Sequence, residues 1–352
     1  MTAPADKSKP ESKTAMKLPK PLWFAGIILL TGVGVLAWIR GGMLALPDVP
    51  GDLTLEAAGL AQLQQMKELN AAIWSGSNSV ANTTPLSEGA RLVKSGLAAH
   101  ARGEHELALD QIRQGVRLQP DNLVLANAYR MVVFGLRRDF LRSARQGLAL
   151  TPQFPPHLAR QPIAFFEELD QKHSSRETKL HLALAWVDEM LLFPALEIKA
   201  PSSVQAVDLL TDVLEKDNPN YVPALFARGL NHLHRPSRLV WPESAKTPRD
   251  AAVRDIGKCV AIGRQFTVGS ERLKATLALS LGDAYVKAGK AEVARSWWQI
   301  AQNLCREDQM QASVRKRYGW QNEVIVDRLE EELDQSRGEL EHPMTDLALI
   351  WN

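Results

Sequence analysis

The chain has 352 residues, 45% of them hydrophobic and 23% charged, with a net charge of only +2. That length holds a membrane anchor and one or two domains, and the near-neutral balance gives no reason to expect nucleic acid as a partner. The two cysteines, Cys259 and Cys305, form no CxxC or CxxCH, which argues against zinc ribbons, thioredoxin-type redox motifs and covalent haem. A location outside the cytoplasm would permit a disulfide between them.

Residues 1–20 are Lys, Pro, Ser, Thr and Ala with little that is apolar, and are expected to form a disordered cytoplasmic tail. Pro21 to Ile39 (PLWFAGIILLTGVGVLAWI) carries no charge. At about 1.5 Å per residue, a helix of that length crosses a hydrocarbon core of about 30 Å. Trp23, Phe24 and Trp38 lie near its two ends, as interfacial aromatics do. Lys7, Lys9, Lys13, Lys17 and Lys20 precede it, and Arg40 is the only cation after it before Lys67. This bias predicts a single-pass anchor over 21–40 in the inner (cytoplasmic) membrane, with the N-terminus cytoplasmic and the main domain periplasmic. A cleaved signal peptide competes with this reading, but no clean small-x-small site follows and the run is long for such a peptide.

Residues 41–88 are read as a juxtamembrane helix and a polar linker. Leu53, Ala57, Leu60 and Leu63 mark a mainly apolar face over 53–73, and SGSNSVANTTP at 75–85 is polar and turn-forming. In 89–122, the residues Gly96, Ala99, Gly103, Ala108, Ile112, Gly115 and Pro120 form a spaced set. The set recurs in 275–308 as Leu281-Gly282, Tyr285, Gly289, Ala294, Trp298 and Ala301. On these residues the chain resembles the tetratricopeptide repeat (TPR) family, whose unit is a pair of antiparallel helices. Small residues lie where the two helices touch, aromatics fill the space beside them, and glycine permits the turn.

Residues 123–172 keep a helical period without the pattern, since Arg130 and Val133 replace the small residue and the aromatic. Four prolines within 152–162 interrupt the stack. Two further units look like TPRs with insertions. Leu182, Ala183 and Trp186 belong to the first helix of one, with Ala206, Leu210 and Val213 on its second. Gly229 opens the other, and Ala252, Ile256 and Cys259 continue it. Each is about eleven residues longer than the family spacing. Ser202 and Ser203 are expected to cap a helix after a loop at 193–202, and Thr247-Pro248 to start another after a loop at 234–249. The same turn of successive units lies on one edge of a solenoid, so the two loops are expected side by side. After the solenoid at 89–309, residues 310–352 are read as a C-terminal capping helix and an apolar tail. The helix, charged nearly all round, is expected to cap the stack or to project into water.

The fold expected is all-α: an N-terminal transmembrane helix followed by a right-handed TPR-like α-solenoid of about four to five helix pairs. The resemblance implies protein–protein interaction rather than chemistry. The architecture resembles single-span bacterial TPR proteins that face the periplasm, a broad class whose members assist cytochrome c maturation, accompany the Sec translocon or hold envelope complexes together. No catalytic motif such as GxSxG, HExxH, GxxxxGK[ST] or GxGxxG is present. Asp188-Glu189 reads as a helix end. His232 and His234 point about 200° apart on a helix, so they cannot readily share a metal. No enzyme, cofactor or metal is expected. The expected role is that of a membrane-anchored scaffold or assembly factor for other envelope proteins. The alternative is a periplasmic chaperone holding exported or unfolded clients.

Two surfaces could bind a partner. The first is the loop edge, with Trp241 as anchor among Arg235, Arg238 and Arg249, residue types enriched at interface hot spots. The second is the groove that the resemblance places along the first helices. Its positions are mostly apolar: Val93 and Leu97; Leu180, Leu184 and Val187; Phe226, Leu230 and Leu233; Leu279 and Val286. Either the chain's own C-terminal segment or an apolar helix or strand of a partner could fill it.

Overall fold

The structure is a computed structural model that describes residues 57–75, 85–145, 161–192, 196–235, 250–266, 270–339 and 345–351. All of these lie in the unit Leu46–Asn352. The expected tail and anchor, 1–40, fall outside the described residues, as does most of the 75–85 linker. Among the described residues there is no strand, and no helix is long and apolar enough to cross a membrane.

A first helix, α1 (Ala57–Trp74), precedes a series of helix pairs. They are α2 (Glu88–Ala101) with α3 (His105–Leu118), α4 (Leu123–Arg145) with α5 (Gln161–Lys172), and α6 (Arg176–Leu192) with α7 (Leu196–Asp212). The series continues with α8 (Val222–His234) and α9 (Ala251–Phe266), then α10 (Glu271–Lys287) and α11 (Ala291–Leu304). Two further helices, α12 (Asp308–Tyr318) and α13 (Ile325–Glu339), and a short turn, α14 (Ala348–Trp351), follow. Side-chain caps start several helices. Ser87 accepts from the Ala90 amide at 3.2 Å, Ser270 from Leu273 at 3.1 Å, and Asn122 from Val124 and Leu125 at 3.1 and 3.2 Å. Gly103 and Gly289 take φ of 82° and 77° in the α2–α3 and α10–α11 turns, a conformation that favours glycine.

Small residues set the spacing within the pairs. A Cβ on Gly96 would lie 2.6 Å from Ile112 Cγ1, and one on Gly229 2.6 Å from Ile256 Cγ1. At Gly282 it would lie 2.5 Å from Trp298 Cδ1 and 3.0 Å from the Ala294 carbonyl. In α6 and α7 the corresponding residues, Ala183 and Ala206, are fully buried. The first helices α2, α4, α6, α8 and α10 touch in succession and form an inner layer. The second helices pack behind them.

Three expectations are corrected. The loop at 193–202 is largely helix: α7 begins at Leu196 and runs through Pro201. Ser202 and Ser203 lie within it, buried, rather than capping it. Tertiary bonds hold this stretch, because Ser203 Oγ donates to Asn231 Oδ1 of α8 at 2.7 Å. Asp188 and Glu189 are not at a helix end but inside α6, buried. The stretch after Asp308 breaks at Gly319, and α13 neither caps the stack nor projects into water. Ile325, Leu329 and Leu333 form a buried i, i+4, i+8 stripe, and α13 touches α6 and α10 of the inner layer. The charges on its other sides mask this stripe in the sequence.

Gly282→Ala should destabilise the protein by about 1–3 kcal/mol, because its methyl group meets a packed indole. Gly135→Ala in α4, where a Cβ meets nothing within 4 Å, should be neutral or stabilise by up to about 1 kcal/mol. Denaturant melts of both variants check this; equal effects would remove the close approach as a constraint.

Candidate functional site

The inner layer is apolar along α6 and α8, and its sequence-predicted positions on these two helices are buried. Leu180, Leu184 and Val187 lie on α6, and Phe226, Leu230 and Leu233 on α8, all 3% exposed or less. The layer is not an open groove. Along with α13, the segment 345–351 sits against it: Leu347, Ile350 and Trp351 are 0%, 5% and 4% exposed, and the α14 turn touches both α1 and α10. Of the two occupants weighed for the groove, the chain's own segment is the one present.

A polar centre lies under this segment. Arg130 of α4 donates through Nη1 to Asp188 Oδ2 of α6 at 2.8 Å, with side-chain exposures of 0% and 6%. Through Nη2 it donates to the Thr345 carbonyl at 2.6 Å and to Asn127 Oδ1 at 3.1 Å. The Thr345 hydroxyl donates to Asp188 Oδ1. Asn127 donates to Asp346 Oδ1 at 2.8 Å and accepts from the Leu347 amide at 3.1 Å. Burial raises the Asp188 carboxyl pKa, against the opposing pull of Arg130, Thr345 and Arg137. Two helical turns further along α4, Arg137 pairs with Glu189 at 2.8 Å, both nearly fully buried.

Arg235, expected as an exposed cation on the loop edge, is placed differently. It is buried, with Nε donating to Ser203 Oγ at 2.8 Å and Asn231 Oδ1 at 3.3 Å, and Nη2 to the Ser203 carbonyl at 3.2 Å. Its charge lies between α7 and α8 because the α7 extension brings Ser203 to it. Its own carbonyl, with that of Leu233, accepts from Lys287, whose ammonium lies 3.4 Å from Glu330 of α13. Arg238, Trp241 and Arg249, with most of the 234–249 loop and Thr247-Pro248, lie outside the described residues.

The buried pairs were missed by sequence reasoning. Arg130 and Arg137 are seven apart, hence on one face of α4, and two buried guanidinium groups demand acceptors. A further centre joins α10, α11 and α12. Asp283 accepts from Arg317 at 2.8 and 2.7 Å and from the Trp298 indole at 2.9 Å. Cys259 and Cys305 are buried free thiols. Among the described residues no group of three or more His, Cys, Asp or Glu could hold a metal ion.

Two histidines are kept neutral by the interior. His181, fully buried and stacked on Phe166 at 5.5 Å, is pushed well below its usual pKa by burial and then by Arg130. His232 is pushed to about 3, by burial first and then by Arg235, Arg228 and Arg254. Asp255 lies 4.0 Å from His232, but it is already bound by Arg228 at 2.7 and 2.9 Å, so the downward shift stands.

No protein-family profile matches the sequence, and no curated protein matches it. Among solved structures, the chain is similar to the crystal structure of TTC0263, a thermophilic TPR protein in Thermus thermophilus. Identity is 15%, the match covers 64% of this chain and 97% of that one, and the TM-score is 0.41.

Stability should fall with pH below the usual histidine range. Folded His181 and His232 resist a proton that the unfolded chain accepts near pH 6.5, so their contribution is complete above that pH and is lost toward the lowered folded values. Each contributes a slope of up to about 1.4 kcal/mol per pH unit. Denaturant melts at pH 7.5, 6.5 and 5.5 check this. The slope expected between the last two is at least partly removed in His232→Gln; a flat profile over that range contradicts the assignment.

Proposed function

We propose that the protein is a membrane-anchored scaffold or assembly factor that joins proteins of an envelope complex. The resemblance of 89–122 and 275–308 to TPR units implies protein–protein interaction. The observation that carries the reading is the stack of paired helices whose buried charges are spent on one another. Arg137–Glu189 and Asp283–Arg317 hold helices together, and Arg130–Asp188 joins α4 to α6. The uncharged run Pro21–Ile39, with lysines before it, supports a single anchor with the helical body in the periplasm. Anchoring raises the local concentration of the body near membrane partners.

The chaperone reading needs an open apolar groove for unfolded clients. An inner layer covered by α13 and 345–351 supports the scaffold over it. The loop edge around Trp241, with Arg238 and Arg249, is the proposed partner contact.

The test is affinity capture of the full chain from detergent-solubilised membranes, with the captured proteins identified by mass spectrometry. Stoichiometric partners are expected, with recovery falling more than tenfold in Trp241→Ala, about 1.4 kcal/mol, at an unchanged melting temperature. A scatter of unfolded clients, or a loss of recovery that only follows loss of fold, contradicts the reading. An alkaline phosphatase fused after Asn352 should be active; an inactive fusion contradicts the topology.

A further inference from the structure

The way segment 345–351 is held goes beyond what burying an apolar stretch requires. Its apolar residues Leu347, Ile350 and Trp351 supply the burial, but its entry into the layer is read by side chains from two helices. Arg130 binds the carbonyl of Thr345, and Asn127 takes the amide of Leu347. These are main-chain groups, which any polypeptide of the right shape presents. Two side chains are read as well: the Thr345 hydroxyl by Asp188, and the Asp346 carboxylate by Asn127. Asp346 also accepts from the Ala348 amide at 2.9 Å and so starts the turn that carries the apolar residues.

The fit is incomplete. Arg130 Nε, on a side chain with no exposure, and the indole N–H of Trp351 are buried without a hydrogen-bond partner. A buried donor left unmatched costs about 1–3 kcal/mol. One unmatched donor thus belongs to a residue of the seat and one to the resident.

We propose that Asn127, Arg130 and Asp188 form a peptide-reading site in which 345–351 is a resident, exchangeable ligand. The exchanging ligand is a segment of a partner protein with the same chemistry. It carries a hydroxyl residue, then an Asp that caps a single helical turn, then large apolar side chains on that turn. This deepens the scaffold reading and rests on it, since it names the kind of segment a partner would insert. The resident lowers the apparent affinity of any competitor by the fraction of time the seat is open. Weakening the resident's hold therefore strengthens binding of the competitor.

The probe is a fluorescein-labelled peptide with the sequence of 345–351, TDLALIW, titrated by anisotropy against the full chain and against Thr345→Val/Asp346→Ala. The double variant should keep its helical circular dichroism and bind the peptide at least tenfold tighter than the parent. Adding Asn127→Leu to it should remove that gain. A folded double variant that binds no tighter overturns the proposal. So does a double variant that unfolds, provided Asp346→Ala alone also binds no tighter. A concentration-dependent dimer of the parent would place a second copy's segment in the seat and would likewise overturn it. Capture through the Trp241 edge is measured separately, so the scaffold reading can stand while this one fails, and the reverse.

Discussion

The ion pair between Arg130 and Asp188 is the contact around which the interior is arranged. It joins two successive helices of the inner layer, and both partners are removed from water. A buried pair of this kind is close to neutral for stability against an apolar replacement, because desolvation offsets the attraction. Its effect is on register. Deleting either partner strands a charge, so α4 and α6 can slide only by breaking the pair, and 345–351 finds its carbonyl, hydroxyl and amide partners only at that register. The free energy of seating comes mainly from Leu347, Ile350 and Trp351, at about 1.5–3 kcal/mol for each large apolar side chain fully buried.

The layer can hold such a pair because the helices behind it are fixed by close approach. Gly96, Gly229 and Gly282 each leave no room for a Cβ beside the facing helix. At the far end the approach of α10 to α11 is locked by the indole of Trp298, which both fills the space at Gly282 and donates to Asp283. Arg317 then carries the same carboxylate into α12. Packing and polar satisfaction thus fall on the same residues, and α13 is delivered to the inner face, where Lys287 meets Glu330.

The hairpins were legible because their signal is local. A small residue on one helix, a small residue about a dozen positions later and a glycine in the turn can be read along a single stretch. The polar centre was not legible, because Arg130 and Asp188 are 58 residues apart and Arg137 and Glu189 are 52 apart. Adjacent acids such as Asp188-Glu189 usually mark exposed ends, and nothing local says otherwise. Ser202 and Ser203 suggested a helix start, yet the helix already begins at Leu196 and runs through Pro201, with Ser203 bonded to Asn231 and Arg235. For the same reason Arg235, read as a loop cation, is drawn inside. The stripe of Ile325, Leu329 and Leu333 was present in the sequence but diluted by the charges around it. The groove positions on α6 and α8 were placed on the inner layer, while their cover could be read only as one of two choices.

The central claim is that 345–351 occupies the inner layer of the full chain in solution. Amide hydrogen exchange at Leu347 and Ile350 tests it most directly, since the first amide is bonded to Asn127 and the second to the Leu347 carbonyl. Both should exchange at least about a hundredfold more slowly than unprotected amides, and Asn127→Leu should speed them while α10 stays protected. Exchange at the unprotected rate in the parent chain, with α10 still protected, would mean the inner layer is open and would contradict the account.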